Sequence, residues 1–343
     1  MIDQPGEIVN LKSSASVAGV KRRELLRHSA TALACGIVPA ALAQPAWPTR
    51  PIKLVLPFST GGPTDSVARL VAVRVGERLG QPIVVENREG AGGLVAAEAV
   101  VHAQPDGYTL LFHSSGLAII TAIRRSMRID PVKDLEPIGM VSTTPLVLVA
   151  NNAVPAGTPT EFFDHLRQNP GKLNYGSGGV GNATHVGMEQ ILQATRTSAV
   201  HVAFKGTAPA MLALMSGQVQ FMSDSISTAL PFIRDGRVRA VAILSKSRAA
   251  TLPNVPTLAE TLVPDMDQAA WQGIWAPRGT SPAIVATIHS ALNAVLGDPA
   301  LKAQLERANV FVKPSTPKEL GSHLVEEIAR WRVVAQAAGI AVD

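Results

Sequence analysis

Apolar residues recur along this chain in two rhythms, and the rhythms alternate. From Ile52, "IKLVLP" is a short apolar run that reads as a buried strand. Thr64 to Leu79 then places Val67, Leu70, Val71, Val75 and Leu79 on one helical face. "PIVVEN" repeats the strand, "GAGG" a turn, Leu94 to Ala103 a helix, and "GYTLLFH" a third strand. A second series begins near Val147. "LVLVAN", "KLNYGS", "SAVHVAF", "VQFMSD" and "VRAVAIL" read as strands, with helices over Thr160 to Gln168, Thr184 to Ala194, Ala210 to Met215 and Ile226 to Arg234 between them. After Pro253, Pro256 and Pro264 come "WQGIWAP" and three amphipathic helical segments. This order predicts an α/β fold in two lobes, with ligands received beyond the carboxyl ends of the strands.

The loops at those strand ends are of one kind. "PFSTGGPTD", "HSSG", "GSGGVGNATH", "KGTAP" and "SDSIST" are rich in Gly, Ser and Thr, and each opens a helix. Unpaired N–H groups and the helix dipole favour an anion there. Each loop alone is no more than a tight turn. Five of them, from both lobes, predict a cleft lined by amides and hydroxyls and suited to carboxylates.

Composition agrees with a globular chain: 46% hydrophobic and 17% charged over 343 residues. The net charge of +5 is shared with the first 43 residues, where Lys12, Lys21, Arg22, Arg23 and Arg27 face Asp3, Glu7 and Glu24. With 4% aromatics and no later basic run, nothing points to nucleic acid. "KRRELLRHSATALACGIVPAALAQ" has a basic region, an Ala-rich apolar stretch and the small residues Ala41 and Ala43 before Gln44, the features of a cleaved leader. Arg22-Arg23 also fits a twin-arginine signal, and the polar residues 1–20 suggest a translation start nearer Val20. Cleavage after Ala43 would send a soluble chain to the periplasm and remove Cys35, the only cysteine.

Familiar catalytic patterns fail in turn. Gly176, Gly178 and Gly181 fit G-x-G-x-x-G, but residues 196–204 supply no carboxylate for a ribose. No Walker A lysine and no G-x-S-x-G elbow occur. His185 and His201 lack the neighbours of a metal site, and Asp65 sits where a helix-capping carboxylate belongs. No catalytic residue, cofactor or metal is expected, and a monomer is the default.

"PIKLVLPFSTGGPTDSVARL", "VVENREGAGG", "PDGYTLLF", "LNYGSGGVGNATHVGMEQ", "HVAFKGTAPAMLALMSGQVQFM" and "WQGIWAPRGTSPAIV" resemble the Bug family of periplasmic receptors, the solute-binding components of tripartite tricarboxylate transporters. The likeness runs from about Trp47 to the C-terminus. It implies a two-lobed type II periplasmic-binding-protein fold, mixed sheets flanked by helices, with lobe one over 48–148 plus 272–343 and lobe two over 149–271. It also implies a small carboxylate ligand passed to membrane transporter subunits; a sensor delivering the same ligand to a signalling receptor is the alternative. Carried over position by position, Phe58, Thr60, Gly61, Gly62 and Asp65 belong to the site, with Ser114 and Ser115. Lobe two adds Ser177, Gly178, Asn182, Thr184, His185 and Asp224. The backbone amides of Gly61, Gly62 and Ser177, donors on Asn182 and Thr184, and the Asp224 acceptor are the expected contacts. Thr60 and Phe204 depart from the family pattern, which has proline and tyrosine there, so the resemblance does not name the acid.

Overall fold

The computed structural model describes residues 47–341 except 62 and 156, so the leader, its cleavage site and Gly62 lie outside the described residues. The first series is β1 (Ile52–Leu56), α1 (Pro63–Leu79), β2 (Ile83–Asn87), a 3-10 turn (Ala91–Gly93), α2 (Leu94–Val101) and β3 (Thr109–Ser114). Helices α3 (Gly116–Ile123) and α4 (Pro131–Asp134) lead into β4 (Leu135–Ala150). The second series is α5 (Pro159–Gln168), β5 (Asn174–Ser177), α6 (Ala183–Thr195), β6 (Val200–Ala203), α7 (Thr207–Met215), β7 (Phe221–Ser225), α8 (Ile226–Arg234), β8 (Arg239–Ile243) and α9 (Leu258–Thr261). Strand β9 (Ala269–Pro277), α10 (Pro282–Leu296), α11 (Pro299–Arg307), β10 (Phe311–Val312) and α12 (Pro317–Ala337) complete the chain.

Among the described residues the strands join in the order β2-β1-β3-β9-β4-β7-β5-β6, with β8 and β10 also pairing with β4. Strand β1 runs parallel to β2 and β3, and β5 runs parallel to β6 and β7. Between these parallel groups stand β9 and β4, antiparallel to each other and to their neighbours β3 and β7. Strand β4 changes partners along its length. Residues 135–145 pair with β9, while Leu146 to Ala150 pair with β7 and, from Val147, with β8.

That strand is longer than its apolar run "LVLVAN" indicates, because it begins at Leu135. Pro137 and Pro145 lie inside it and cannot donate to a ladder, which is why the pattern alone breaks there. The ladder absorbs the first by a register shift between Pro137 and Gly139 and makes a second between Met140 and Ser142.

Side chains alternate across the sheet as a two-residue period requires. Ile52, Leu54 and Leu56 of β1 pack with Val67 and Val71 of α1 and Ile288 and Leu292 of α10, while Val55 joins the opposite layer of α2, α3 and α12. Leu148 and Ala150 meet Phe162, Phe163 and Ile191 on one face of β4, and Val147 and Val149 meet Met211, Leu214 and Leu230 on the other. Each fully buried aliphatic side chain stabilises by roughly 2 kcal/mol. Both sheet groups are thus covered on two faces, which leaves their strand ends as the open surface.

Helix α12 is fixed to β9 by one buried carboxylate. Glu327 accepts Nε1–H of Trp271 at 3.2 Å and Nε1–H of Trp331 at 3.1 Å, and Arg330 pairs with it at 2.9 Å. Asp267, just before β9, accepts from Arg330 through its backbone oxygen at 3.3 Å. Replacing Glu327 by leucine fills the space but strands two indole donors and a guanidinium. Glu327→Leu is expected to lose about 3 kcal/mol in denaturant-induced unfolding, and Glu327→Gln, which keeps an acceptor, distinctly less. A leucine variant as stable as the parent chain would show that the network is dispensable.

Candidate functional site

Where the parallel strands end and β4 crosses β9, the strand-end loops surround a cavity of ≈ 580 Å³. All five glycine- and hydroxyl-rich loops reach it: Phe58 and Thr64, Ser114 and Ser115, Gly178 to Thr184, Thr207, and Asp224 with Ser225. Of the residues expected at the site, Phe58, Ser114, Ser115, Gly178, Asn182, Thr184 and Asp224 line this wall. Thr60, Gly61, Asp65, Ser177 and His185 do not, and each has a visible reason.

Asp65 stands at the centre of the first loop, not on its surface. Its Oδ2 accepts from Gly61 N at 3.0 Å and Arg69 Nε at 2.8 Å, and Oδ1 accepts from Asn87 Nδ2 at 2.9 Å. Asn87 in turn donates to Phe58 O at 2.7 Å and accepts from Thr60 Oγ1 at 3.1 Å. The Gly61 amide is therefore engaged by Asp65 and unavailable to a ligand, and Thr60 is turned towards Asn87. The Arg69 guanidinium first, then Asn87 and Gly61, holds the Asp65 carboxyl at about 2, against an ordinary 3.8. Its contribution to stability is present above 3.8 and is lost as pH falls through about 2.

The loop between β5 and α6 is braced from behind in the same manner. Ser177 is fully buried, its Oγ lies 2.6 Å from His201 Nε2, and it accepts the Gly179 amide at 3.2 Å. A serine beside a histidine is the beginning of a nucleophilic dyad, but this one does not reach the cavity and serves the loop instead. His185 stacks on His201 with ring centroids 3.7 Å apart and accepts the Gly181 N–H through Nδ1 at 3.1 Å. Burial, then the neighbouring His201, lowers His185 to about 4, so the ring is neutral and keeps that acceptor.

In front of these braces the loop presents backbone. Asn182 caps α6, its Oδ1 accepting Thr184 N at 3.0 Å, and Thr184 Oγ1 accepts the Gly178 amide at 3.0 Å. The N–H groups of Val180, Ala183 and Thr207, all on residues of the cavity wall, have no hydrogen-bond partner among the described residues. Ala183 and Thr207 are the first residues of α6 and α7, so their free amides stand at positive dipole ends.

Several lining residues were not singled out from the sequence. Glu89, Gly90, Gly92 and Gly93 follow β2, Gln268 immediately precedes β9 and Gln272 lies within it. The "REGAGG" run was the available signal for the first group. Gly93 has φ 101, and a Cβ there would stand 2.4 Å from His113 Nε2, so only glycine lets the turn close on that ring. His113 is fully buried, accepts Ser114 N through Nδ1 at 2.9 Å, and is lowered by burial to about 4. Gln272, whose side chain is bonded by the Ser142 hydroxyl, and Gln268, bonded to Gly187 O at 2.8 Å, carry no periodic or glycine signal.

The wall contains no lysine or arginine among the described residues, and its two carboxylates are Glu89, which is exposed, and Asp224, which is 5% exposed. Burial pushes Asp224 up to about 6, with the Thr228 hydroxyl and the Ser225 amide acting the other way. Because the folded chain holds this proton more tightly, Asp224 makes the empty protein less stable as pH rises from 3.8 through about 6. A cavity of fixed amide and hydroxyl donors with one buried acceptor can bind and orient an anion.

Comparison with known proteins agrees with that chemistry. Residues 67–340 match the family described as the tripartite tricarboxylate transporter family receptor. The periplasmic binding protein BugD is 32% identical, with a TM-score of 0.75 over 86% of this chain and 99% of its own. An R. palustris protein with adipate is 33% identical, with a TM-score of 0.78 over 86% and 99%. MatC from Rhodopseudomonas palustris with bound malate is 34% identical, with a TM-score of 0.74 over 84% and 99%. A free-amide cavity between two parallel strand groups and a family match across most of the sequence lead to one conclusion: this chain belongs to the tripartite tricarboxylate transporter receptors, a family of solute-binding proteins.

Proposed function

We propose that this chain is an extracytoplasmic receptor that captures a small dicarboxylate between two lobes and delivers it to the membrane subunits of a tripartite tricarboxylate-type transporter. The observation that carries the reading is the cavity wall: unpartnered amides at two helix starts, serine and threonine hydroxyls, and no cationic side chain among the described residues. Relatives holding adipate and malate support a dicarboxylate. The lobes would be 48–148 plus 272–343 and 149–271, supported by the partner change in β4 at Leu146 and by the return of the chain along β9. Those two strands would then form the hinge, and closure would bury the acid among the loops. The leader would be cleaved after Ala43 and the receptor would act as a periplasmic monomer.

Made at full length and purified from the periplasm, the protein is expected to begin at Gln44 on N-terminal sequencing. Its unfolding midpoint is the test of function. A ligand at about a hundred times its dissociation constant adds roughly 2.7 kcal/mol, a rise of about 5 °C for a chain of this size. Adipate, malate or a related diacid should produce it. No response to any mono-, di- or tricarboxylate, acidic amino acid or aromatic acid would remove the reading.

Asn182→Ala should act on two quantities at once. Loss of the α6 cap is expected to lower stability by about 1 kcal/mol, and displacement of the Val180 and Ala183 amides should weaken the responding acid at least about tenfold by calorimetry. Unchanged affinity in a folded variant would place the ligand elsewhere than on this loop.

A further inference from the structure

We infer that the cleft takes its dicarboxylate as the hydrogen dicarboxylate, a monoanion whose retained proton lies between one ligand carboxyl group and Asp224. The inference rests on the receptor reading and specifies the form of ligand that reading requires.

Asp224 ends β7 on the cavity wall and is almost wholly buried. One of its oxygens accepts the Ser225 amide at 2.8 Å. Among the described residues no lysine or arginine lines the wall to neutralise it. Strand β4 faces it with Val147 in register and contributes Leu146 to the wall. The first turn of α8 offers Ile226, Ser227 and Thr228, and the start of α6 offers Ala183, Thr184 and His185, whose ring is neutral. Across the cavity the titratable groups are His113, also kept neutral by burial, and Glu89, another carboxylate.

One end of a diacid can be met by the free amides of Val180, Ala183 and Thr207. A fully ionised second end would share a low-dielectric space with an uncompensated Asp224 carboxylate, and like charges so placed do not both remain ionised. One proton held between the two carboxyl groups removes the repulsion and adds a donor on the cavity side to those that Ser225 and Thr228 already give Asp224. Burial already raises Asp224 towards the protonated state before any ligand arrives. The balance is simple: one dianion and one proton enter together, no bond to carbon changes, and above the ordinary range of the acid the proton comes from solvent.

Isothermal titration of the intact periplasmic protein with adipate and with malate, in phosphate and in Tris, counts protons from the difference in heat between buffers. The expected result is uptake of about one proton per acid, with Kd rising about tenfold per unit between about pH 7 and pH 8.5. Asp224→Asn offers an amide N–H in place of the shared proton. In that variant uptake should fall to near zero and Kd should become flat with pH. Zero uptake and a pH-independent Kd in the parent protein would overturn the inference, as would uptake that persists in Asp224→Asn. The count in the parent protein decides even if the variant folds poorly. Failure of every acid to bind removes the receptor reading and this one together, whereas binding without proton uptake removes only this one.

Discussion

The antiparallel ladder between β4 and β9 is the constraint on which the rest depends. Residues 135–145 face residues 269–277, and among the described residues the parallel strand groups are attached to one side or the other of that pair. A sheet that reverses direction in its middle brings the carboxyl ends of two parallel groups towards a common region, where helix starts collect. The cavity is a consequence of that reversal. Glu327 matters for the same reason, since it fixes α12 against β9 at Trp271, beside the cavity-lining Trp331.

Loops that bind through backbone must be rigid before the ligand arrives, since ordering them afterwards would subtract from affinity. The first loop is stiffened by Asp65, Asn87 and Arg69, and the β5–α6 loop by Ser177, His201 and His185. In both, polar side chains turn away from the cavity and hold the backbone that faces it. The side chains with the most catalytic appearance, a serine touching a histidine and an aspartate at a helix start, belong to this hidden set.

This division explains what could be read from the sequence. Strands and helices followed from periodicity because both sheet groups are covered on two faces, which writes apolar runs such as "IKLVL" and "LVLVA" between turns. The five loops were legible because glycine, serine and threonine recur at helix starts after strands of both series, although each loop alone could serve only as a cap or a turn. Legibility failed at β4, where Pro137 and Pro145 interrupt a strand held by its partner, and at Gln268 and Gln272, placed only by tertiary geometry. Asp65, Ser177 and His185 stand off the cavity wall, and residue type cannot tell a side chain that faces a ligand from one that braces the loop behind it. Asp65 is bound by Gly61, Arg69 and Asn87; the first two lie four residues away and fit a local helix-start reading, whereas Asn87 comes from β2 and is placed only by the fold.

A carrier has a different electrostatic problem from an enzyme or a scavenger, because it must give up what it captures. An arginine clamp would desolvate with its carboxylate, and breaking such a pair slows release. Amides at helix starts carry only partial charge, already oriented by the fold, so they recognise an anion without leaving a bare cation when it departs. Asp224 extends the same logic to an acceptor. On the proposed reading, a buried carboxylate among uncharged donors sets a condition on the bound group: a hydrogen must stand between it and Asp224, from a hydroxyl, an ammonium or a proton taken up on binding. Selectivity would then come from where hydrogens sit on the ligand as much as from its net charge, and a wall without cations among the described residues is what would give that distinction its force.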